Sequence, residues 1–466
     1  MPTPFDLVIV GGQAITGRGV FPATLAVREG RIAGLLAPEE RPAAREQIEA
    51  RGLHVLPGII DTHVHTRHPG HPGREDMVSG TSAAAAGGIT TILEMPISKI
   101  PVSSAAALER RVQAMQPGAL VDFGLYGGAG EENVADIAGQ AAAGALAFKT
   151  FLQPPPPARR DEFTGLWCTD PAGLRDVVAA VARTGLRHGF HCEHGPLLAG
   201  LQRRLEEQGR GDGLAHAESR PPVVEEAAVA HVLALGEEVG AKIHVVHLST
   251  PRAARLVRDA RARGADVSVE SCPHYLVLTE DALTRHRGFA KCNPPLRRRE
   301  DVEALWEHLR AGDIDVLGSD HSPFLAEEKT AGADNVFLAP PGLGGLEVLL
   351  PLMLTAVAEG RLGLPALARL LSERAAELFR LPGKGRLEPG ADADVTLVDL
   401  GAEWTYDHRQ AHTLSKQSMQ VYDGMRLRGR VVSTYVRGTR VFHEGQITAA
   451  PGHGRFVRPA VLGSAS

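Results

Sequence analysis

The feature that most constrains the fold is an alternation in the middle of the chain. Apolar, strand-like runs recur at residues 55–60, 89–95, 120–125, 145–151, 186–191, 242–247, 266–271 and 314–319. Between most of them lie helix-length stretches, at 103–115, 131–143, 171–183, 224–239, 251–263 and 299–311, with apolar residues at helical spacing. Eight strands alternating with helices over roughly 270 residues predict an α/β chain folded as a (β/α)8 TIM barrel. A doubly wound open sheet is the structural alternative. The two ends read differently. Residues 6–10, 13–16, 24–28 and 31–36 are short strands with glycine turns, and 394–399, 431–437 and 439–443 repeat that character. The expectation is a small β-sandwich domain built from both chain ends, 1–53 and 385–466, around a barrel of 54–384. The Pro-rich run 154–157 and the stretch 205–222 read as loops. Val8-Ile9-Val10-Gly11-Gly12 opens like a dinucleotide-binding strand, but the following residues do not complete G-x-G-x-x-G, so it reads as a strand and turn.

Composition narrows the function classes. With 43% hydrophobic and 23% charged residues, the chain has the profile of a soluble globular protein. A formal net charge of -5 gives no electrostatic reason to expect nucleic acid or an anionic membrane as partner. Residues 1–8 lack a basic, then apolar, leader, and no run approaches the roughly 20 apolar residues of a spanning helix. The four cysteines, Cys168, Cys192, Cys272 and Cys292, are far apart and form no C-x-x-C pair. That pattern predicts reduced thiols and a cytoplasmic location.

The 20 histidines carry more information. His63-x-His65 follows the first barrel strand. In an extended segment residues i and i+2 face the same side, so both imidazoles can meet one ion. Asp61, two residues earlier on that side, suits a further ligand or an acceptor behind the ligands. Lys149 lies near the end of the fourth strand, His191 ends the fifth, His247 ends the sixth, and Asp320 follows the eighth. Singly, each has an ordinary explanation: packed barrel histidines, a surface lysine, a capping aspartate. Jointly they occupy the carboxyl ends of several strands, where barrel enzymes place their sites. An ammonium repels a dication. A lysine carbamate, formed with carbon dioxide, is instead an anion able to bridge two cations. Nitrogen and oxygen donors without cysteine favour Zn2+, and Mn2+, Co2+ and Ni2+ also suit them.

These residues sit in motifs that resemble the amidohydrolase superfamily, in the branch of allantoinase, hydantoinase/dihydropyrimidinase and dihydroorotase. The motifs run the length of the chain: Pro57-Gly58-Ile59-Ile60-Asp61-Thr62-His63-Val64-His65, Phe148-Lys149, His191-Cys192-Glu193, Val246-His247-Leu248-Ser249, Cys272-Pro273-His274-Tyr275, Asn293-Pro294-Pro295-Leu296 and Gly318-Ser319-Asp320-His321-Ser322-Pro323. The resemblance implies two divalent metal ions. His63, His65, Lys149 and Asp320 would hold one, and Lys149 as N6-carboxylysine, His191 and His247 the other. It implies Asp320 as catalytic proton acceptor, and Asn293 with backbone near Ser271 and 341–344, Gly342 included, on the imide edge of a small cyclic amide. A homo-oligomer, tetramer or dimer, is implied as well. A non-catalytic scaffold would lack ligands, and a mononuclear deaminase would lack Lys149.

Within that branch most motifs resemble allantoinases, which open allantoin to allantoate: Glu94-Met95-Pro96, Phe148-Lys149-Thr150-Phe151, Ser219-Arg220-Pro221 and Ala290-Lys291-Cys292-Asn293-Pro294-Pro295. Hydantoinases typically carry a tyrosine soon after the carbamate lysine, and here Thr-Phe-Leu-Gln-Pro follows Lys149. His63-Val64-His65-Thr66-Arg67 matches the H-x-H-x-R of dihydroorotases, whose arginine pairs with a substrate carboxylate. An arginine pairing with Glu75 or Asp76 is the structural alternative. Met95-Pro96-Ile97-Ser98 departs from the Met-Pro-Asn-Thr of dihydroorotases. His408 and His412 read as structural.

Overall fold

The computed structural model describes residues 4–460. Eight parallel strands run in sequence order through one sheet: Ile59–Val64, Ile89–Glu94, Asp122–Gly128, Ala147–Phe151, Arg187–His191, Ile243–Val245, Val267–Ser271 and Val316–Leu317. Consecutive order leaves no switch point, which sets aside the open doubly wound sheet. Closure is made by a bridge between Val64 and His321, by His65 N–H donating to the His321 carbonyl (2.8 Å), and by Ser319 N–H donating to Asp61 Oδ1 (2.9 Å). The chain therefore folds as a TIM barrel, with a separate sheet from its two ends.

The helices follow from local chemistry. Pro171–Thr184 starts at Asp170, whose carboxylate accepts from Gly173 N–H (2.7 Å), and stops at Gly185 in the left-handed region (φ 69). Leu174, Val177, Val178 and Val181 form its buried stripe. The stretch expected to be a loop at 205–222 is partly helical instead. It begins inside the helix Gly195–Glu207 and contains Gly213–Glu218, whose Asp212 cap satisfies two backbone N–H groups. Met77–Ala86 and Leu349–Ala358 are further helices that periodicity does not reveal, because nearly every residue in them is buried.

The end sheet has nine strands, among them Phe5–Thr16, Gly19–Arg28, Arg31–Leu36, Val395–Thr405, Arg426–Val436 and Thr439–His443. It wraps a core in which Leu7, Val27 and Ile32 from the first end share a cluster with Val395, Leu397 and Tyr435 from the last. The run read as one strand at 55–60 is two. His54–Pro57 pairs with the end-sheet strand Val395–Thr405, and Ile59–Val64 joins the barrel. Gly58 makes the change of partner: a Cβ there would lie 2.2 Å from Thr90 Oγ1. Among the described residues, no helix is long and apolar enough to cross a membrane, and the four cysteines are free and buried.

Barrel packing has a measurable pH consequence. His188 is fully buried and donates from Nε2 to Thr150 Oγ1 (2.7 Å), and burial pulls its pKa down to about 3. An unfolded histidine binds its proton below about 6.5, whereas this folded one does not until about 3. Between those values the unfolded chain holds more protons, so stability falls as pH drops, by about 1.4 kcal/mol per pH unit for this group. Urea midpoints of His188→Gln are expected to fall less steeply than wild type from pH 6.5 to 4. Parallel curves would show that His188 is not responsible.

Candidate metal centre

The pleat and the strand ends bring the six expected donors to one cavity of about 120 Å3, lined by His63, His65, Lys149, His191, His247 and Asp320. His63 lies in the first strand and His65 just past it, on the same side, with ring centroids 5.2 Å apart. Their Nε2 atoms each lie 3.4 Å from Asp320 Oδ1. Across the cavity His191 Nδ1 faces His247 Nε2 at 3.0 Å. Lys149 is completely buried, and its Nζ has no hydrogen-bond partner among the described residues. His247 lies two residues beyond its strand, Ile243–Val245, rather than ending it, and bends inward with φ 39. Arg67 (φ 60) and Asp320 (φ 47) are also left-handed non-glycine residues, a strained conformation that collects at functional sites.

These donors suit a metal pair. His63 Nδ1 is held by Glu270 Oε1 (2.7 Å) and His191 Nε2 by Glu193 Oε2 (2.7 Å), which leaves the opposite nitrogen of each ring facing the cavity. Burial lowers the pKa of all four imidazoles, His63 to about 4, so the rings are neutral and carry a lone pair to donate. Burial also pulls Lys149 down, against the opposing pull of Asp320 and Glu270, toward the neutral amine that adds carbon dioxide. Burial pushes Asp320 up and Lys149 opposes it. Asp61 is an acceptor behind the centre: its Oδ1 takes the His63 and Ser319 N–H groups (3.1 and 2.9 Å), and burial raises it to about 7.

Glu270, Glu193 and Thr62 were not singled out as site residues from sequence. Glu270 stands fully buried in the strand Val267–Ser271, also accepting from Thr62 Oγ1. A carboxylate in the short barrel strand Val267–Ser271, among valines and small serines, is the signal that could have found it. Gly318 permits the arrangement, because a Cβ there would meet Glu270 Cδ at 2.9 Å and His63 Cβ at 3.0 Å.

The expected substrate contacts divide. Arg67, Asn293 and Gly342 line the cavity. Arg67 Nη2 donates to Ser322 Oγ (2.7 Å), and its guanidinium lies over the Phe324 ring at 4.6 Å. Its Nε and Nη1 are unpartnered among the described residues, although Nη1 approaches Glu162 at 3.8 Å. It pairs with neither Glu75, engaged by Ser79, His321 and Thr413, nor Asp76, which caps a helix. Ser271 does not line the cavity: its hydroxyl donates to the Leu248 carbonyl (2.8 Å), and its carbonyl accepts from Gly318 N–H (3.0 Å). Arg159, Phe151 and Phe163 also line the cavity, and Arg159 lies in the irregular 3-10 segment Pro157–Phe163, which has no periodic sequence signal. His408 pairs with Asp423 and His412 with Glu347 (3.0 Å), away from the centre.

The amidohydrolase family model matches residues 54–441. An allantoinase of Rubrobacter xylanophilus is 40% identical over 98% of this chain and 98% of its own length. A dihydroorotase of Methanothermobacter thermautotrophicus is 37% identical over 89% of each chain. The solved structure of an L-hydantoinase (dihydropyrimidinase) from Arthrobacter aurescens superposes with a TM-score of 0.93 at 34% identity, covering 97% of this chain and all of that one. With its closed barrel, its end sheet and six donors around one cavity, this chain belongs to the amidohydrolase family.

Proposed function

We propose that the protein hydrolyses the amide bond of a small cyclic ureide or imide, allantoin to allantoate being the best-supported reaction. The observation that carries this is the meeting of four neutral imidazoles, an unpaired buried lysine and a carboxylate at the mouth of the barrel. His63, His65, Asp320 and a carboxylated Lys149 would hold one divalent cation, and Lys149, His191 and His247 a second, with Zn2+ the ion these donors favour. When bound, such a pair lowers the pKa of a water and polarises the carbonyl it attacks. Asp320 accepts the proton from the attacking water at its carboxylate and returns it to the ring nitrogen as the C–N bond breaks. Asn293 Oδ1, buried without a partner among the described residues, and the main chain at Gly342 orient the ring. A cytoplasmic homo-oligomer is the form we expect.

Arg67 supports a second reading, a ring with an acidic substituent as in dihydroorotate, because two of its nitrogens have no hydrogen-bond partner among the described residues. Turnover of allantoin, hydantoin, dihydrouracil and dihydroorotate by wild type and Arg67→Ala tests both. Allantoin is expected to give the highest kcat/KM in wild type. Arg67→Ala is expected to spare neutral rings and weaken acidic ones about 10- to 100-fold, the value of a charged hydrogen-bonded contact. Equal loss on all four rings makes Arg67 structural. No turnover of any ring by metal-loaded protein overturns the proposed function.

A further inference from the structure

Two lysines outside the donor set occupy an unusual position behind the cavity. Lys291 and Lys329 are 5% and 0% exposed, and among the described residues no carboxylate is within ion-pair distance of either. Burial pulls both pKa values down, Lys329 to about 7, yet each Nζ donates to three main-chain carbonyls, which uses all three hydrogens of an ammonium. Lys291 Nζ reaches Val336 (2.8 Å), Phe337 (3.2 Å) and Ala339 (2.6 Å). Lys329 Nζ reaches Lys291 (3.3 Å), Pro340 (3.1 Å) and Gly342 (2.7 Å). A buried charge without a counter-charge is expensive, and an apolar side chain of the same length would fill the space at lower cost if only packing mattered.

The geometry supplies another role. The Lys291 carbonyl also accepts from Gly342 N–H (2.8 Å), so the Lys329 ammonium sits where two segments cross. One segment leads within two residues to Asn293, and the other carries Gly342, and both line the cavity. Gly342 itself is in a glycine-only conformation (φ 155) against Ser322, where a Cβ would lie 2.5 Å from the Ser322 carbonyl oxygen. Segment 336–342 has one regular element among the described residues, the turn Val336–Leu338, and long-range main-chain bonds tie its ends, Val336 N–H to the Gly211 carbonyl and Gly342 N–H to the Lys291 carbonyl (2.8 Å each). The ammoniums take the place of a backbone ladder.

We propose that Lys329, backed by Lys291, is a positioning residue that sets the spacing between Asn293 and the Gly342 main chain. Those elements grip the ring, so the inference rests on the proposed function. The test uses Lys329→Met and Lys291→Met in the full-length, metal-loaded protein, with the ring that wild type opens best. Both are expected to lower kcat/KM about 10- to 100-fold, mainly through KM, with bound metal unchanged, as for lost ground-state binding. Hydrogen exchange of peptides covering 336–343, followed without substrate, is expected to accelerate in both variants while barrel-strand peptides stay as in wild type. If Lys329→Met does not fold, Lys291→Met decides on the same readouts. Unchanged KM and unchanged exchange overturn the proposal, as does an equal fall in kcat with loss of metal. Faster exchange in a protein that opens no ring would retain the clamp and remove the proposed function instead.

Discussion

Lys149→Ala is expected to reduce bound metal from two divalent ions per chain to fewer than one, and ring opening by about a thousandfold or more, the several kcal/mol that a metal pair contributes. The reason is electrostatic. Four of the six donors are neutral imidazoles, and Asp320 is one carboxylate. Two dications in one buried cavity repel strongly at low dielectric, and a carbamate on Lys149 would put an anion between them. Burial already draws the lysine toward its neutral amine, and no described residue bonds its Nζ. Elemental analysis with steady-state kinetics checks the variant. Intact-mass measurement checks wild type for one added carbon dioxide. Metal-stripped wild type should also regain activity faster when bicarbonate accompanies the metal. A Lys149→Ala protein that keeps two ions and its rate would overturn the bridging role.

Asp320→Asn separates proton transfer from metal binding. Asparagine keeps an oxygen facing His63 and His65, where Asp320 Oδ1 now lies 3.4 Å from both Nε2 atoms, but it cannot take up a proton. Metal content is expected to stay near two per chain while kcat falls about 10²- to 10⁴-fold, the range of a positioned acid–base group. The pH profile gives the sign. In the metal-free chain burial raises the Asp320 pKa. Bound cations would act on it as Lys149 does, lowering it. Wild-type activity should rise with pH as the carboxylate ionises, and that acid limb should vanish in the variant. A kcat within tenfold of wild type, with the limb intact, would assign the proton to another group.

The barrel was legible because its signal is repetitive. The helix Arg299–Ala311 and the strand Thr439–His443 fall where their side-chain periods place them. Errors fall where period carries no information. The run 55–60 is apolar throughout, so nothing in its pattern marks the exchange of partners at Gly58. Leu349–Ala358 is buried on nearly every side, so it has no polar face to reveal a helix. The convergence on one cavity was legible in residue type and position, since His63, His65, Lys149, His191, His247 and Asp320 are unusual residues at or just past strand ends. For Ser271, position in a strand does not show that the hydroxyl is already bonded to the Leu248 carbonyl.

By itself, then, the sequence determined the strand and helix alternation, the end sheet and the chemical identity of the donors, all properties of local period and residue type. Tertiary structure alone decided which nitrogen of His63 faces the cavity, because that depends on Glu270 arriving from a distant strand, whereas His191 is oriented by Glu193 two residues on. It also decided that two Arg67 nitrogens lack a hydrogen-bond partner among the described residues, and that two buried lysines bond the main-chain carbonyls of the segment that carries Gly342. These contacts join distant parts of the chain, His63 to Glu270 over 207 residues and Arg67 to Ser322 over 255. Closure removes water from every one of them, and a buried polar group without water must find a protein partner or remain ready to bind a ligand.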